Sequence, residues 1–367
     1  MRIGIDARLA SYRKAGISRY TLQLIEALQQ IASADDEFIV LQGKRAEPIL
    51  PGGRFSSRRL FTPCHHRLEQ LVLPLELRPL DLDVLHSPDF IPPFRTRARS
   101  VITVHDLVFL LYPHFLNKDA ARYYGQIDEA VLRADGIIAV SSSTKQDIMR
   151  LLGVPETKIT VIYEAASLAF RPLRTLEVAG HLRERFGLEA GFILFVSTIE
   201  PRKNVPNLLR AYRQLLDSYH ITVPLVIAGE KGWLFDEVFS LTKSLKLESQ
   251  VRFLGRVSTQ ELFWLYNTAR MLVQPSFYEG FGLTPLEAMA CGTPVVVSNV
   301  SALPEVTADA GLLVDPNVPE EIAVAIYRLL SDDALWASMA DKGLKRSACF
   351  SWEKAARETL ALYHSVC

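Results

Sequence analysis

Cysteine is scarce: Cys64, Cys291, Cys349 and Cys367 are the only four in 367 residues. None form a C-x-x-C pair, and no histidine stands at zinc-finger spacing from them. That excludes a zinc-ribbon or thioredoxin-type motif and fits a reducing compartment. Net charge is absent as well, because 41 Lys+Arg balance 41 Asp+Glu, so bulk electrostatics do not point to nucleic acid. No apolar run is long enough to span a bilayer. The opening Met1-Arg2-Ile3-Gly4-Ile5-Asp6 reads as a strand start and not as a signal peptide. No G-x-G-x-x-G follows that strand, which argues against a nicotinamide oxidoreductase. The expectation is a cytoplasmic protein with no structural metal.

Hydrophobic residues make up 49% and charged residues 22%, a globular balance, and the length suits two α/β domains better than one. Ile3 to Leu9 reads as a strand and Ser18 to Ile31 as a helix, with Leu22, Ile25, Leu28 and Ile31 three apart. Further buried strands are predicted at Phe38 to Leu41, Val84-Leu85, Val101 to Val104, Gly136 to Val140 and Ile159 to Ile162. The pattern restarts with a strand at Phe192 to Ser197 and a helix at Val205 to Leu216. Strands follow at Leu225 to Ala228, Val251 to Leu254, Met271 to Gln274 and Pro294 to Val297. Apolar runs separated by helices imply parallel sheets. The reading is α/β: two Rossmann-like, doubly wound domains, residues 1–168 and 190–348, joined by a polar linker over 169–189. Residues 349–367 form a last helix that crosses back to the first domain. Ligands of such sheets bind at the carboxyl ends of the strands, so a cleft between facing domains is the expected site.

The stretch Gln274-Pro275-Ser276-Phe277-Tyr278-Glu279-Gly280-Phe281-Gly282-Leu283-Thr284-Pro285-Leu286-Glu287 carries the chemistry. A strand ends, a glycine-containing loop follows, and a short helix begins. Thr284 suits an N-cap, Pro285 the first helical position, and Glu287 completes a capping box. Glu287 is therefore either a cap or a ligand group. Glu279 lies in the loop, where Gly280 and Gly282 let a ligand approach backbone closely. Two carboxylates flanking a helix N-terminus suit a hydroxyl-rich ligand, while free N–H groups there suit negative charge.

This segment resembles the E-x7-E signature of retaining GT-B glycosyltransferases (glycosyltransferase group 1, mannosyltransferase-like branch). Val251-Arg252-Phe253-Leu254-Gly255-Arg256-Val257, Leu303-Pro304-Glu305-Val306, Ala310-Gly311-Leu312-Leu313-Val314 and Phe350-Ser351-Trp352 extend the resemblance across the second domain. In the first domain it rests on the amino-terminal loop and Val104-His105-Asp106. It implies GT-B architecture. Glu287 would bind the nucleotide ribose, Glu279 would lie by the transferred sugar, and the backbone of Phe281, Gly282 and Leu283 would face sugar and phosphates. His105, at a strand end, would lie near the donor sugar and reaction centre. Ser197-Thr198-Ile199-Glu200-Pro201-Arg202-Lys203-Asn204 resembles the E-P-R-K-N branch, which makes Arg202 and Lys203 the diphosphate partners in place of a metal. Many members carry the diphosphate arginine where this chain has Thr198.

Arg256-Val257 is either an ordinary strand exit or the turn that meets the base. Gly16, in Lys14-Ala15-Gly16-Ile17-Ser18, precedes a helix and can approach a phosphate or acceptor, although the family often has two glycines here. Asp81-Leu82-Asp83 spells the D-x-D of metal-dependent transferases but reads as turn chemistry. Cys64-His65-His66 lacks a further ligand cluster. Residues 54–78 interleave basic and apolar side chains, as either an amphipathic helix with a solvated face or a peripheral contact at the inner face of an anionic membrane. The implied activity is retaining, metal-independent hexosyl transfer, leaning to mannose from GDP-mannose, onto a glycan or lipid-linked acceptor in polysaccharide biosynthesis. No cofactor is expected, since the nucleotide-sugar is a substrate. The competing reading is a non-catalytic GT-B subunit that binds a sugar or protein. It ranks below the enzyme because Lys203, Glu279 and Glu287 are all present.

Overall fold

The computed structural model describes residues 1–11, 16–33, 35–44, 54–112, 122–173, 175–232 and 235–367. The chain divides into two compact units: Met1–Glu164 with Ser351–Cys367, and Ala165–Phe350.

The first unit is built on a parallel sheet of seven strands. They are β1 (Arg2–Asp6), β2 (Glu37–Gly43), β3 (Phe55–Leu60), β4 (Val84–Ser87), β5 (Arg99–Val104), β6 (Gly136–Ala139) and β7 (Ile159–Val161), in the order β3-β2-β1-β4-β5-β6-β7. The chain winds outward from β1 through β2 to β3, then returns to lay β4 on the other side of β1. That reversal is a topological switch point, where the loops after β1 and β4 part and leave a crevice. The helix Gly16–Ile31 buries Tyr20, Leu24 and Leu28 with Thr21 and Ile25. This stripe is rotated from the one the sequence suggested, because the C-terminal helix Trp352–Val366 packs beside it and adds Ala355, Ala356 and Tyr363 to the same core.

The second unit holds a six-stranded parallel sheet. Its strands are β8 (Ile193–Val196), β9 (Leu225–Ala228), β10 (Val251–Gly255), β11 (Met271–Gln274), β12 (Val295–Ser298) and β13 (Gly311–Val314), in the order β10-β9-β8-β11-β12-β13. β8, β9, β11 and β12 are buried along their whole length, which is why they read as continuous apolar runs. The switch point here lies between β8 and β11.

Three sequence expectations are corrected. Residues 169–189 are not a free linker: Thr175–Phe186 is a helix of the second unit, with the His181 ring stacked on Trp264 at 4.9 Å. Asn267 bonds the Arg171 carbonyl and the Leu173 N–H, so the unit begins at Ala165. The tail begins two residues later than 349, at Ser351: Phe350 stays in the second unit, its ring 5.8 Å from Phe281, while Trp352 lies 5.7 Å from Tyr20 in the first. Finally, residues 54–78 are not one helix. β3 is an edge strand, followed after a turn by the helix Glu69–Leu77. That helix buries Glu69, Leu73 and Leu77, while Leu68, Leu71, Val72 and Leu75 face outward at i, i+3, i+4 and i+7. An ordinary amphipathic helix would expose a polar face; this one exposes an apolar stripe.

Candidate active site

Because β8 and β11 are neighbours, the loops leaving their carboxyl ends emerge side by side. The β8 loop ends in a short turn, Pro201–Lys203, and the helix Val205–Tyr219 follows with Asn204 at its start. The β11 loop carries Glu279. The two loops meet in an ion cluster: Lys203 Nζ donates to both Glu279 oxygens at 2.7 and 2.8 Å, across 76 residues of sequence. Arg202 Nη1 reaches Glu279 at 3.4 Å, and its Nε donates to Glu200 at 2.5 Å. Ser276 Oγ (2.7 Å) and Gln274 Nε2 (3.2 Å) complete the shell around Glu279 Oε1. Ser301 Oγ accepts from the Glu279 backbone N–H at 3.0 Å. Gln274 Oε1 is left buried without a partner.

Burial alone would raise the Glu279 pKa. The charges of Lys203 and Arg202, with the hydrogen bonds from Lys203 and Ser276, outweigh it and hold the carboxyl at about 2. Lys203 is pulled below its ordinary value by burial and by the Arg202 charge, with Glu279 opposing. At neutral pH the cluster therefore holds a carboxylate between two basic side chains, a charge arrangement that an incoming diphosphate can enter by taking over the cations.

Glu287 sits apart from this cluster on the helix Leu283–Ala290. It is buried, and its Oε2 accepts from the Tyr266 hydroxyl at 3.0 Å. The capping-box alternative is corrected: the helix starts at Leu283 with Gly282 as its N-cap, so neither Thr284 nor Glu287 caps it. Gly282 has φ +118°, and a Cβ there would come within 2.8 Å of Leu303 Cδ2. Backbone conformation and space both demand glycine, and a glycine cap leaves the first N–H groups of the helix unclaimed by any capping side chain. Phe281 is buried against Phe350, and Leu283 is half-buried. Arg256 and Val257 follow β10 after Gly255 (φ +69°), with Arg256 exposed and 3.3 Å from Glu230. The structure thus brings Arg202, Lys203 and Glu279 into contact. Sequence reasoning missed Tyr266, Ser276, Gln274 and Ser301, whose roles depend on which loops the sheet places together.

His105 and Gly16 belong to the first unit. His105 follows β5, with Nδ1 2.9 Å from Glu164 Oε1 and Nε2 3.0 Å from the Pro88 carbonyl. Both ring nitrogens face acceptors, so both carry protons when both bonds form, and the ring is then an imidazolium. Burial opposes that charge, but the Glu164 carboxylate raises the His105 pKa above its usual value. Asp106 accepts from the Val108 N–H at 3.1 Å and fixes the turn. Gly16 opens the first helix with open space around it, while Lys14 and Ala15 lie outside the described residues. Asp81 takes φ +46° and Asp83 accepts from the Arg2 N–H at 2.7 Å, so the D-x-D spelling is turn structure. No group of three potential metal ligands occurs among the described residues. None of the described helices is long and apolar enough to cross a membrane.

Known proteins share this organisation. Residues 181–346 match the model of glycosyl transferases group 1, and residues 15–170 match that of glycosyltransferase family 4. O-antigen chain mannosyltransferase B of Escherichia coli is 34% identical, with 99% of both chains covered. Among solved structures, sucrose-phosphate synthase from Thermosynechococcus elongatus superposes with a TM-score of 0.79 at 22% identity, covering 100% of this chain and 98% of that one. HepE of Anabaena, solved with UDP and glucose, superposes at 0.78 and 19% identity, covering 100% of each chain. The sheets described above are those of the GT-B fold.

Proposed function

We propose a specific reaction for this chain, which belongs to the group 1 glycosyltransferases, in their mannosyltransferase-like branch: it moves mannose from GDP-mannose to a glycan or lipid-linked acceptor with retention of configuration. The observation that carries the reading is the Lys203–Arg202–Glu279 cluster at the β8/β11 switch point. Two cations at a strand-to-helix turn can neutralise the leaving diphosphate, the electrostatic task that a metal performs in other transferases. Glu279, ionised at neutral pH, lies by the sugar and yields its two cations to the diphosphate as the donor binds. Glu287, buried on the helix that follows the Glu279 loop, takes the ribose hydroxyls. The 34% identical mannosyltransferase supports mannose as the transferred sugar.

His105 serves near the donor sugar as a fixed cation. The outward stripe Leu68, Leu71, Val72 and Leu75, with Phe61 71% exposed and Arg58 and Arg59 exposed on the edge strand β3, is the peripheral contact with an anionic membrane carrying a lipid-linked acceptor. The test is a hydrolysis and transfer screen of GDP- and UDP-sugars, with and without EDTA. Turnover of GDP-mannose that withstands the chelator is expected. Preference for a UDP-sugar overturns the donor. Loss of turnover with EDTA, restored by manganese, overturns the metal-free mechanism.

A further inference from the structure

The first unit has its own switch point, between β1 and β4, and a second polar cluster occupies it. Asp6 is the last residue of β1 and Ser87 the last of β4. With Arg8, Glu69, His65 and Asp89 they line a pocket whose enclosed part has a volume of about 10 Å³, room for one water-sized group. Arg8 is buried and most of its donors are taken: Nε meets Asp6 at 2.9 Å, Nη2 meets Asp6 at 2.6 Å and Glu69 at 2.5 Å, and Nη1 meets the Thr62 carbonyl at 3.0 Å. Asp89 Oδ2 accepts from His65 Nε2 at 2.6 Å and from the Tyr123 hydroxyl at 3.3 Å, so Oδ1 lies outside both bonds.

Ser87 is the unexplained member. It is 2% exposed, and its Oγ has no hydrogen-bond partner. An unpaired buried hydroxyl is costly, and one that lines a pocket at a strand end is placed to be completed by a ligand. The rest of the lining narrows what that is. Three carboxylates, Asp6, Glu69 and Asp89, outnumber Arg8 and His65, and both basic side chains are already bonded to them, which disfavours a further anion. Arg8 already sits as the cation between Asp6 and Glu69, and no metal-ligand group occurs among the described residues. Burial pushes the Cys64 thiol up, so it stays neutral and neither attacks nor ligates. What remains is a neutral group that both donates and accepts.

We propose that this pocket receives a hydroxyl of the sugar acceptor, with Ser87 and Asp89 as its hydrogen-bond partners. The site extends the transferase reading, since a transferase needs an acceptor hydroxyl held separately from the donor groups on the second unit.

The probe is methyl α-mannopyranoside, followed by saturation-transfer NMR on the full chain, with GDP binding measured by calorimetry on the same samples. Ser87→Ala removes only the unpaired hydroxyl and should fold at least as well as the parent. It should weaken mannoside binding roughly ten-fold while GDP affinity stays unchanged. Asp89→Asn should do the same if it folds, and Ser87→Ala decides the matter if it does not. Parental mannoside binding by Ser87→Ala overturns the site. So does a parent chain that binds GDP but not the mannoside. A chain that binds the mannoside through Ser87 but does not bind GDP keeps this site and refutes the donor reading instead.

Discussion

Glu279→Gln separates the charge of the central carboxylate from its shape. Glutamine keeps the size and one carbonyl for Lys203 and Ser276, and loses the negative charge and the second acceptor oxygen. The Glu279 pKa lies at about 2 against an ordinary 4.5. A gap of about 2.5 at about 1.36 kcal/mol each gives about 3 kcal/mol of stability from ionisation in the folded state. The sign follows from a depressed value: the contribution is complete above about pH 4.5 and fades as pH falls towards 2. At pH 3 about 1.4 kcal/mol remains. The variant, which cannot ionise, should therefore lose about 3 kcal/mol at pH 7 and about half that at pH 3. Urea unfolding read by tryptophan fluorescence measures it. In a Trp352→Phe background every remaining tryptophan lies between Ala165 and Phe350, so the signal reports the second unit alone. A penalty equal at the two pH values, or below about 1 kcal/mol at pH 7, would refute the argument that the two cations hold this carboxylate. The same geometry makes Lys203→Ala the harsher change, because it leaves a buried carboxylate short of its nearest partner. In the transfer assay Glu279→Gln should keep nucleotide affinity and lose turnover.

Other consequences are open to test. Glu287→Gln should weaken GDP binding about ten-fold through a lost charge-assisted bond, and Tyr266→Phe should destabilise the fold by about 2 kcal/mol by removing the donor to a buried carboxylate; normal GDP binding by Glu287→Gln, measured calorimetrically, rules out its ribose role. His105 contributes stability while protonated, fully below its ordinary pKa and lost as pH rises through the raised folded value. The stability gap between the parent and His105→Gln should thus narrow from pH 5.5 to 8.5, and a gap independent of pH contradicts an imidazolium between Glu164 and Pro88. Sedimentation with phosphatidylglycerol vesicles should bring the chain down, and Leu71→Asp with Leu75→Asp should cut that at least ten-fold without lowering the melting temperature; undiminished binding removes the outward stripe as a membrane contact.

Local physics was enough to read the strands whose every residue is buried. Ile193–Val196 and Leu225–Ala228 are apolar throughout, and Val295–Ser298 up to its last residue, because a parallel sheet covers both faces, and that run is visible residue by residue. The strand, loop and helix around Glu279 were equally legible, because glycine and proline mark them. β3 was not: as an edge strand it carries Ser56, Ser57, Arg58 and Arg59 outward, so no apolar run announces it. The helix Thr175–Phe186 hid for a similar reason, since only its packing on the helix Thr259–Thr268 makes it part of a core. The start of the helix Leu283–Ala290 turned on a single positive φ at Gly282, which moved the cap and released Glu287 from a local role.

The sequence by itself determined two doubly wound sheets and the residue types at their strand ends. Tertiary structure alone decided which of those ends meet. Lys203 and Glu279 touch across 76 residues because β8 and β11 are neighbours at one switch point. Asp6 and Ser87 share a pocket because β1 and β4 are neighbours at the other. Strand order is set by how whole helices pack on whole sheets, a long-range balance that no window of adjacent residues contains.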